Sequence, residues 1–256
     1  MGHGGSGGRA LGGRCSLSSR VGHGWHTGGV TSLPTPSVLG SAFDAVLFDA
    51  VLFDMDGTLI DSTPAVERSW LQWAGEYGVE QSFRDGGHGQ PARDLVASLV
   101  SEQQFEAAYA RIQQIETDDT VGITILPGVS ATLLAIDAHR QAIVTSCTRA
   151  LAAARIGAAG IIAPNLVVTV DDVEFGKPHP HPFLAGAAGL GFDPARCIVI
   201  EAAPAGLVSG RAAGCTTIGV VGTHSREELD ADLVVDSLTE LVFTSDGDGV
   251  TVTRAG

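Results

Sequence analysis

The chain has few basic residues, few cysteines and no long hydrophobic run. Lysine and arginine number 15 against 29 aspartates and glutamates, a net charge of −14, so the chain lacks the basic surface that nucleic acids or anionic membranes require. No apolar stretch approaches the roughly 20 residues that span a bilayer. The four cysteines form no CxxC pair and no zinc-ligand spacing, which argues against a disulfide scaffold. We therefore expect a cytoplasmic protein that binds neither nucleic acid nor membrane.

The first 42 residues differ in composition from the remainder. They are rich in glycine, serine and histidine and have no hydrophobic periodicity. A segment of this composition cannot bury enough apolar surface to fold. We expect residues 1–42 to form a disordered leader.

Short apolar segments alternate with alanine-rich segments from residue 43 onward. The apolar segments are continuous runs of Val, Ile and Leu, as in strands that are buried on both faces of a sheet. The three alanine-rich segments have helical length, and each ends at a glycine that suits a helix C-terminus. They are RALAAARIGAAG, PHPFLAGAAGLG and PAGLVSGRAAG. The apolar segments are AVLFDM, QAIVTS, NLVVTV, CIVIEA, CTTIGVV and ADLVV. The alternation predicts an α/β fold, a Rossmann-like parallel sheet with helices on both faces.

Polar residues follow four of the predicted strands. Asp54 and Asp56 follow the first, Thr145 ends the second, Lys177 comes after the third, and Glu201 ends the fourth. Ligands of such sheets bind beyond the carboxyl ends of the strands, so we expect these side chains to meet at one edge. The two aspartates could share a divalent cation such as Mg²⁺, which prefers oxygen ligands, while the lysine and the hydroxyl hold a phosphoryl group. The set fits phosphoryl transfer.

In this order, the four segments resemble the signature motifs of the haloacid dehalogenase superfamily of phosphatases. DMDGTL at 54–59 resembles the first motif, IVTS at 143–146 the second, GKPHP at 176–180 the third and VIEAAPAG at 199–206 the fourth. The resemblance covers roughly residues 43–256 and points to the sugar-phosphate, glycerol-phosphate and 2-deoxyglucose-6-phosphate phosphatases of the β-phosphoglucomutase-like subgroup. It implies an Mg²⁺-dependent phosphatase whose core domain comprises residues 43–61 and 126–256.

The resemblance implies a role for each matching residue. Asp54 would attack the phosphorus and form an aspartyl-phosphate, and Asp56 would protonate the leaving group and then activate water. Lys177 would neutralise the charge on Asp54 and the phosphoryl group. Thr145 would donate a hydrogen bond to that group, and it could at the same time be a helix N-cap. The implied substrate-binding residues are Ser146, Gly57 and Thr58, and the implied Mg²⁺ ligands are Asp54, Asp56 through its backbone carbonyl, and Glu201.

The fourth motif departs from the family pattern. Relatives usually carry two adjacent acids there, of which the aspartate binds the metal directly, whereas this chain has Ala202 after Glu201. The resemblance therefore implies a missing Mg²⁺ ligand and a weaker metal site. Asp171 and Asp172 end another predicted strand, and they could supply an outer carboxylate or simply cap that strand.

Between residues 62 and 125, helical periodicity replaces the strand pattern. Trp70, Trp73 and Tyr77 recur at helical spacing, which is typical of a small helical core rather than of a stacking surface. The resemblance makes this insertion, residues 62–125, a small all-helical type 1 cap domain that closes over the site and excludes water. His88 and Arg93, in GGHGQPARD, match substrate contacts of sugar- and glycerol-phosphate phosphatases, but they could equally be an exposed histidine and a helix-capping arginine.

The sequence repeats Phe-Asp-Ala-Val-Leu immediately before the first motif. Of the three aspartates that follow a phenylalanine here, Asp44, Asp49 and Asp54, only Asp54 precedes x-Asp-Gly-Thr. We therefore expect Asp54 alone to hold the chemistry, and we place the other two on an added edge or leader segment. A further Asp-x-Asp, at 246–248, is predicted to be the turn of a terminal hairpin.

These observations favour an Mg²⁺-dependent phosphomonoesterase that acts on a small phosphorylated sugar or polyol. Two alternatives stay open at this stage. One is a phosphosugar mutase of the same fold, in which a second hydroxyl rather than water attacks the phosphoenzyme. The other is a relative that binds a phosphorylated metabolite without turnover, because Ala202 removes a metal ligand. We expect a monomer or a weak homodimer.

Overall fold

The computed structural model describes residues 1–2, 46–79 and 92–255. All the elements below lie in one compact unit. Most of the predicted leader lies outside the described residues, and so do Asp44 and His88. Within the described ranges, no helix is long and apolar enough to cross a bilayer.

The described chain forms ten strands and seven α-helices. The strands are β1 (Ala50–Phe53), β2 (Ile60–Asp61), β3 (Thr124–Ile125), β4 (Gln141–Val144), β5 (Leu166–Val168), β6 (Cys197–Glu201), β7 (Thr216–Val220), β8 (Leu233–Val235), β9 (Leu241–Ser245) and β10 (Val250–Arg254). The helices are α1 (Thr63–Tyr77), α2 (Ala92–Leu99), α3 (Glu102–Asp118), α4 (Val129–Ala135), α5 (Arg149–Ala159), α6 (His181–Leu190) and α7 (Pro204–Ala212).

Six parallel strands form the central sheet in the order β5-β4-β1-β6-β7-β8. The three central strands, β4, β1 and β6, are buried along their whole length, which explains their continuous apolar sequences. The register places Phe53 of β1 opposite Ile143 of β4 and Ile200 of β6. The next residues along, Asp54 and Glu201 among them, therefore lie together at the carboxyl edge. The predicted α/β fold with a parallel sheet is confirmed.

Helices cover both faces of the sheet, and β1 shows why. Val51 and Phe53 belong to one apolar cluster, which includes residues of α4 and α5, whereas Ala50 and Leu52 belong to a second cluster with Phe183 of α6. Successive side chains of a strand point to opposite faces. The uninterrupted apolar run of β1 therefore contributes to two cores at once.

Glycines end two of the three predicted alanine-rich helices. Gly160 and Gly191 follow α5 and α6 in the left-handed conformation, with φ of 67° and 81°, as the sequence predicts. The end of α7 differs, because Ala213 is its C-cap and Gly214 adopts the positive φ one residue later.

The inserted helices α1, α2 and α3 pack around an apolar cluster of their own. Trp73 is fully buried, stacks on Tyr77 with 4.9 Å between ring centroids, and donates from Nε1 to the carbonyl oxygen of Ala108 at 2.8 Å. Trp70 meets Trp73 edge to face. The aromatic residues therefore form a helical core, as predicted. The chain enters and leaves this cluster through β2 and β3, which pair antiparallel.

The second Phe-Asp copy serves the structure of the sheet. Phe48 is buried and exchanges backbone hydrogen bonds of 2.9 and 2.7 Å with Val250 of the terminal hairpin, which is formed by β9 and β10 as predicted. The Asp49 carboxylate accepts two hydrogen bonds from Arg196, at 2.6 and 2.8 Å. These contacts fasten the amino end of β1, away from the carboxyl edge where Asp54 lies.

Candidate active site

A cavity of about 830 Å³ lies between the carboxyl edge of the sheet and the inserted helices. The sequence-predicted residues Asp54, Asp56, Gly57, Thr145, Ser146, Lys177 and Glu201 line it, as do Trp70, Arg93, Tyr109, Gln113 and Glu116 of the inserted helices. Thr58 does not line the cavity, but its hydroxyl donates to the Asp54 carboxylate. The topology thus brings four segments that are far apart in sequence to one place.

Asp54 is the first residue after β1 and lies nearly buried in the cavity wall. Its backbone N–H donates to the carbonyl oxygen of Ile200 at 2.9 Å, which extends the pairing of β1 with β6. Its Oδ1 accepts from Lys177 Nζ at 2.7 Å, and its Oδ2 accepts from Thr58 Oγ1 at 3.0 Å. Both carboxylate oxygens are therefore held in place from within the protein.

Lys177 is buried and uses all three donors of its ammonium group. Nζ donates to Asp54 Oδ1 at 2.7 Å, to Glu201 Oε1 at 2.8 Å and to the carbonyl oxygen of Val144 at 2.9 Å. Burial disfavours the charged ammonium, but the charges of Asp54 and Glu201 outweigh it and raise the pKa of Lys177. The lysine therefore stays charged at physiological pH.

The buried cluster of Asp54, Glu201 and Lys177 carries more negative than positive charge. One ammonium group faces two carboxylates, so the ionised cluster has a net charge of −1. Burial and then the charge of Glu201 raise the pKa of Asp54 to about 7, although Lys177 acts in the opposite direction. The protein alone therefore compensates the Asp54 charge incompletely, and a bound cation would complete the compensation.

The site fits Mg²⁺ in charge and in ligand type. Asp54 and Glu201 offer oxygen atoms, and Mg²⁺ characteristically binds one or two carboxylates while it keeps several waters and takes phosphate oxygens as further ligands. In residues 46–79 and 92–255, no cluster of three or more acidic, histidine or cysteine side chains is arranged to hold a metal. Most of the coordination shell would therefore come from water, phosphate and backbone.

The fourth motif shows how Glu201 is held and what Ala202 leaves out. Glu201 Oε2 accepts from the backbone N–H of Ala203 at 2.8 Å, and the carboxylate packs so tightly on Gly206 that a Cβ built there would lie 1.6 Å from Oε1. Ala202 is fully buried, and its Cβ lies close to Gly57 in the turn between Asp54 and β2. Position 202, where the resemblance implies a carboxylate, therefore adjoins the first motif but offers only a methyl group.

The Asp56 carboxylate is held by two side chains that the sequence did not point to, those of Ser62 and Arg155. Gly57, at φ 81°, turns the chain so that its N–H donates to the carbonyl oxygen of Ile60 at 2.8 Å. Asp56 Oδ1 accepts from Ser62 Oγ at 2.6 Å. It also accepts from Nη1 of Arg155, on α5, at 2.9 Å.

The second motif places two hydroxyl residues on the cavity wall. Thr145 follows β4, and its Oγ1 accepts from the backbone N–H of Cys147 at 3.1 Å. The helix begins later, at Arg149, and its N-cap is Thr148, whose side chain accepts from the N–H of Leu151. The expectation that Thr145 could be the helix N-cap is therefore wrong.

The predicted substrate contacts of the insertion are only partly described. Arg93 is the second residue of α2, and it lines the cavity. Its guanidinium packs over the rings of Phe105 and Tyr109 at 4.8 and 5.3 Å from their centroids, and it pairs with Glu106 at 3.4 Å. These contacts hold the arginine side chain along one wall of the cavity.

Asp171 and Asp172 serve the local backbone. Asp172 Oδ2 accepts from the backbone N–H and the hydroxyl of Thr169, at 2.8 and 2.7 Å, and its other oxygen pairs with Arg149. Asp171 Oδ2 accepts from the backbone N–H of Arg149 at 2.8 Å. Of the two readings of this pair, capping is the one that these contacts favour.

Two charged residues that sequence reasoning missed complete the site. Arg155 lies on α5 and Glu116 on α3, and both are buried and line the cavity. The available signal was weak: Leu151, Ala152 and Arg155 share the buried face of α5, so the arginine interrupts an otherwise apolar face. Nothing in the local sequence indicates that Glu116 belongs to the site, because its partner Arg155 is distant in sequence.

The chain matches known proteins over most of its described length. The family model described as "Haloacid dehalogenase-like hydrolase" matches residues 51–220. The chain is 42% identical over 203 residues to hexitol phosphatase A of Escherichia coli (strain K12). This match covers 77% of this chain and 94% of that protein. The chain is 31% identical over 202 residues to glycerol-1-phosphate phosphohydrolase 2 of Saccharomyces cerevisiae. This match covers 71% of this chain and 79% of that protein.

The fold is also similar to that of solved structures. A hydrolase from Pseudomonas syringae superposes with a TM-score of 0.67 at 25% sequence identity. The match covers 74% of this chain and 94% of that chain. The fold is thus shared over about three quarters of this chain.

Proposed function

The chain belongs to the haloacid dehalogenase-like hydrolase family, and on this basis we propose that it is an Mg²⁺-dependent phosphomonoesterase of a small phosphorylated polyol or sugar. The predicted family is thereby confirmed, and with it the prediction of a hydrolytic enzyme. The substrate class, the metal and the roles of individual residues are the proposal.

The observation that carries the proposal is the position of the Asp54 carboxylate. It lies in the cavity wall between Lys177 and Thr58, on a rigid strand end, with its oxygens fixed at 2.7 and 3.0 Å from their donors. A nucleophile held in one orientation needs little reorganisation to attack. Lys177 supplies positive charge, and Thr145 and Ser146 on the same wall offer hydrogen-bond donors for the phosphoryl oxygens.

The reaction divides into two displacements at phosphorus. In the first, Asp54 forms a bond to phosphorus, the bond to the substrate oxygen breaks, and Asp56 gives its proton to that oxygen. In the second, Asp56 takes a proton from water, the water oxygen bonds to phosphorus, and the Asp54–phosphoryl bond breaks. Asp54, Glu201 and the carbonyl of Asp56 would hold Mg²⁺, which when bound supplies positive charge for the ionised Asp54 and the phosphoryl group.

The inserted helices support a polar substrate and a cap role for residues 62–125. Tyr109, Gln113 and Arg93 line the cavity opposite the catalytic edge, and their donors and acceptors suit the hydroxyl groups of a polyol. The relatives named above act on hexitol and glycerol phosphates, which have this chemistry. Closure of these helices over the sheet edge would exclude water during the first displacement.

Ala202 sets the expected strength of metal binding. The buried methyl group beside Gly57 provides no ligand, so the metal depends on fewer protein oxygens. We therefore expect a half-saturating Mg²⁺ concentration that falls in the Ala202→Asp variant, because a carboxylate then joins the shell.

The experiment is a phosphate-release assay with hexitol, glycerol and 2-deoxyglucose phosphates, with Mg²⁺ and with EDTA, on the native chain, Asp54→Asn and Ala202→Asp. We expect native activity that requires Mg²⁺ and is lost in Asp54→Asn. Full activity in Asp54→Asn would refute the nucleophile. An inert native chain that gains turnover with Ala202→Asp would mean that this chain binds a phosphorylated metabolite without hydrolysis, and isomerised product without phosphate would indicate a mutase.

A further inference from the structure

Arg155 connects the catalytic edge of the sheet with the inserted helices. We propose that Arg155 is a positioning residue that orients the Asp56 carboxylate for proton transfer and that makes this orientation depend on the docking of α3 through Glu116. The inference rests on the proposed function, because it assigns a device for the proton-transfer step of that reaction.

The contacts of Arg155 reach both halves of the site. Nη1 donates to Asp56 Oδ1 at 2.9 Å and Nη2 donates to Glu116 Oε1 at 3.1 Å. The Arg155 side chain is 5% exposed and that of Glu116 is 7% exposed. A planar guanidinium presents its donors in a fixed fork, so the positions of its two partners are geometrically linked.

The charges make this linkage strong. A buried charge without a partner is costly, whereas a buried charge with good hydrogen bonds is tolerated. Glu116 has Arg155 as an ion-pair partner at 3.1 Å, and Arg155 takes its other ion pair from Asp56. If α3 moves away from the sheet edge, Arg155 loses its contact with Glu116 and keeps its contact with Asp56. The geometry of the Arg155–Asp56 contact therefore depends on the position of α3.

The two oxygens of Asp56 have different surroundings. Oδ1 accepts from Ser62 Oγ at 2.6 Å and from Arg155 Nη1 at 2.9 Å. Oδ2 has a contact only with Cys147 Sγ, at 3.1 Å, among the hydrogen bonds that the structure describes, and a thiol is a weak donor. Because arginine does not give up its proton, Oδ1 is fixed as an acceptor, and Oδ2 is the oxygen that carries the transferred proton.

This assignment predicts a dependence on the leaving group. An alkyl phosphate leaves as an alkoxide and needs the proton of Asp56, whereas p-nitrophenyl phosphate releases a stable phenolate and needs it far less. If Arg155 acts by orienting Asp56, its loss must affect the alkyl substrate more than the aryl substrate. A general loss of folding or of phosphate binding would affect both alike.

The experiment measures kcat/KM, which reports the first displacement, for native enzyme, Arg155→Met, Arg155→Lys and Glu116→Gln with glycerol phosphate and with p-nitrophenyl phosphate. The second displacement, in which Asp56 activates water, is the same for both substrates and does not enter kcat/KM. We expect Arg155→Met to lower kcat/KM for the alkyl substrate by about 10- to 100-fold, a part of the 10²- to 10⁴-fold that general acid catalysis supplies, and to lower kcat/KM for the aryl substrate much less. Arg155→Lys and Glu116→Gln should shift the ratio of the two rates in the same direction by less.

The test has two controls, a matched arginine variant and a double variant. Arg111, an exposed arginine of α3 that pairs with Glu76, gives the matched variant Arg111→Met, which should leave the ratio unchanged. Adding Arg155→Met to Asp56→Asn should cause no further loss for the alkyl substrate, because the two residues act as one unit. If Arg155→Met fails to fold in a circular-dichroism melt, the Lys and Gln variants decide the question.

The outcomes separate this inference from the proposed function. A native enzyme that hydrolyses neither substrate overturns the proposed function, and the positioning role with it. An active native enzyme whose Arg155 and Glu116 variants lose both activities in equal proportion, or lose neither, overturns the positioning role alone. Additive losses in the Asp56→Asn background would do the same.

Discussion

The three Phe-Asp copies show how context decides the role of a residue. Asp49 and Asp54 lie at opposite ends of β1, five positions apart in a repeated sequence. Asp49 is partly exposed and its pKa is lowered by the hydrogen bonds from Arg196. Asp54 is buried between Lys177 and Thr58, and its pKa is raised to about 7 by burial and by the charge of Glu201. The same dipeptide thus yields a surface ion pair at one end and a candidate nucleophile at the other.

This contrast gives a matched pair of variants. Asp54→Asn removes the carboxylate that would attack phosphorus, so we expect kcat to fall by at least about 10³-fold, in line with the loss of an essential catalytic group. Asp49→Asn removes only the ion pair with Arg196 at the amino end of β1, and surface pairs contribute little. We expect native kcat in Asp49→Asn, measured by phosphate release. A large loss in Asp49→Asn with a folded protein would contradict the assignment.

At the scale of the element, the start of α7 shapes the fourth motif. Gly206 lies in the first turn of this helix and has no room for a side chain, because the Glu201 carboxylate occupies the position of its Cβ. Gly157 of α5, in contrast, has room for a side chain, because no atom lies within 4 Å of the position that a Cβ would take there. One helix glycine is therefore required by packing against the site, and the other is not.

These two glycines give opposite predictions for the same substitution. Gly206→Ala should destabilise the protein by about 1–3 kcal/mol, as overpacking does, and it should displace Glu201 and weaken Mg²⁺ activation. Gly157→Ala should stabilise the protein by up to about 1 kcal/mol, because alanine favours the helix. Urea unfolding and Mg²⁺ titration of activity measure both effects. Equal behaviour of the two variants would show that the Glu201–Gly206 contact is not what holds the motif.

The elements differ in how far the sequence predicts them. Continuous Val and Ile runs predict the central strands, because such runs are typical of strands that are buried on both faces. Motif spacing likewise predicts which strand ends meet. Thr145 suits a helix N-cap by residue type, but its backbone N–H pairs with Val168 of β5 and Thr148 caps α5 instead, which only the tertiary structure decides. Arg155 and Glu116 could not be predicted, because their pairing joins two helices that local patterns cannot place together.

At the scale of the whole molecule, the net charge of −14 contrasts with an anionic substrate. The buried cations Lys177 and Arg155 each pair with two carboxylates, so attraction of the substrate must come from the proposed Mg²⁺ and from Arg93 on the cavity wall. The same cavity contains an electrostatic repulsion that destabilises the folded protein, because Asp54 and Glu201 share a single ammonium group. Stability and function are thus coupled through this cluster.

The coupling predicts how stability depends on pH without metal. The pKa of Asp54 is raised from 3.8 in the unfolded chain to about 7 in the folded protein. The folded state therefore binds more protons between these values, and the Asp54 contribution to stability decreases as pH rises from about 4 to about 7. We expect the Tm of the native chain, relative to that of Asp54→Asn, to fall between pH 5 and pH 7.5 in EDTA. Mg²⁺ should restore the difference at pH 7.5, and a relative Tm that rises with pH would contradict the charge assignment.

The central claim is that Asp54 forms a covalent bond to the phosphoryl group, and trapping that bond tests it most directly. The enzyme is mixed with substrate and Mg²⁺, quenched in acid within the first turnover, digested, and sequenced by mass spectrometry. We predict one phosphoryl group, on Asp54 of the peptide that also contains Asp49. A phosphoryl group on any other residue, with Asp54 unmodified, would contradict the account.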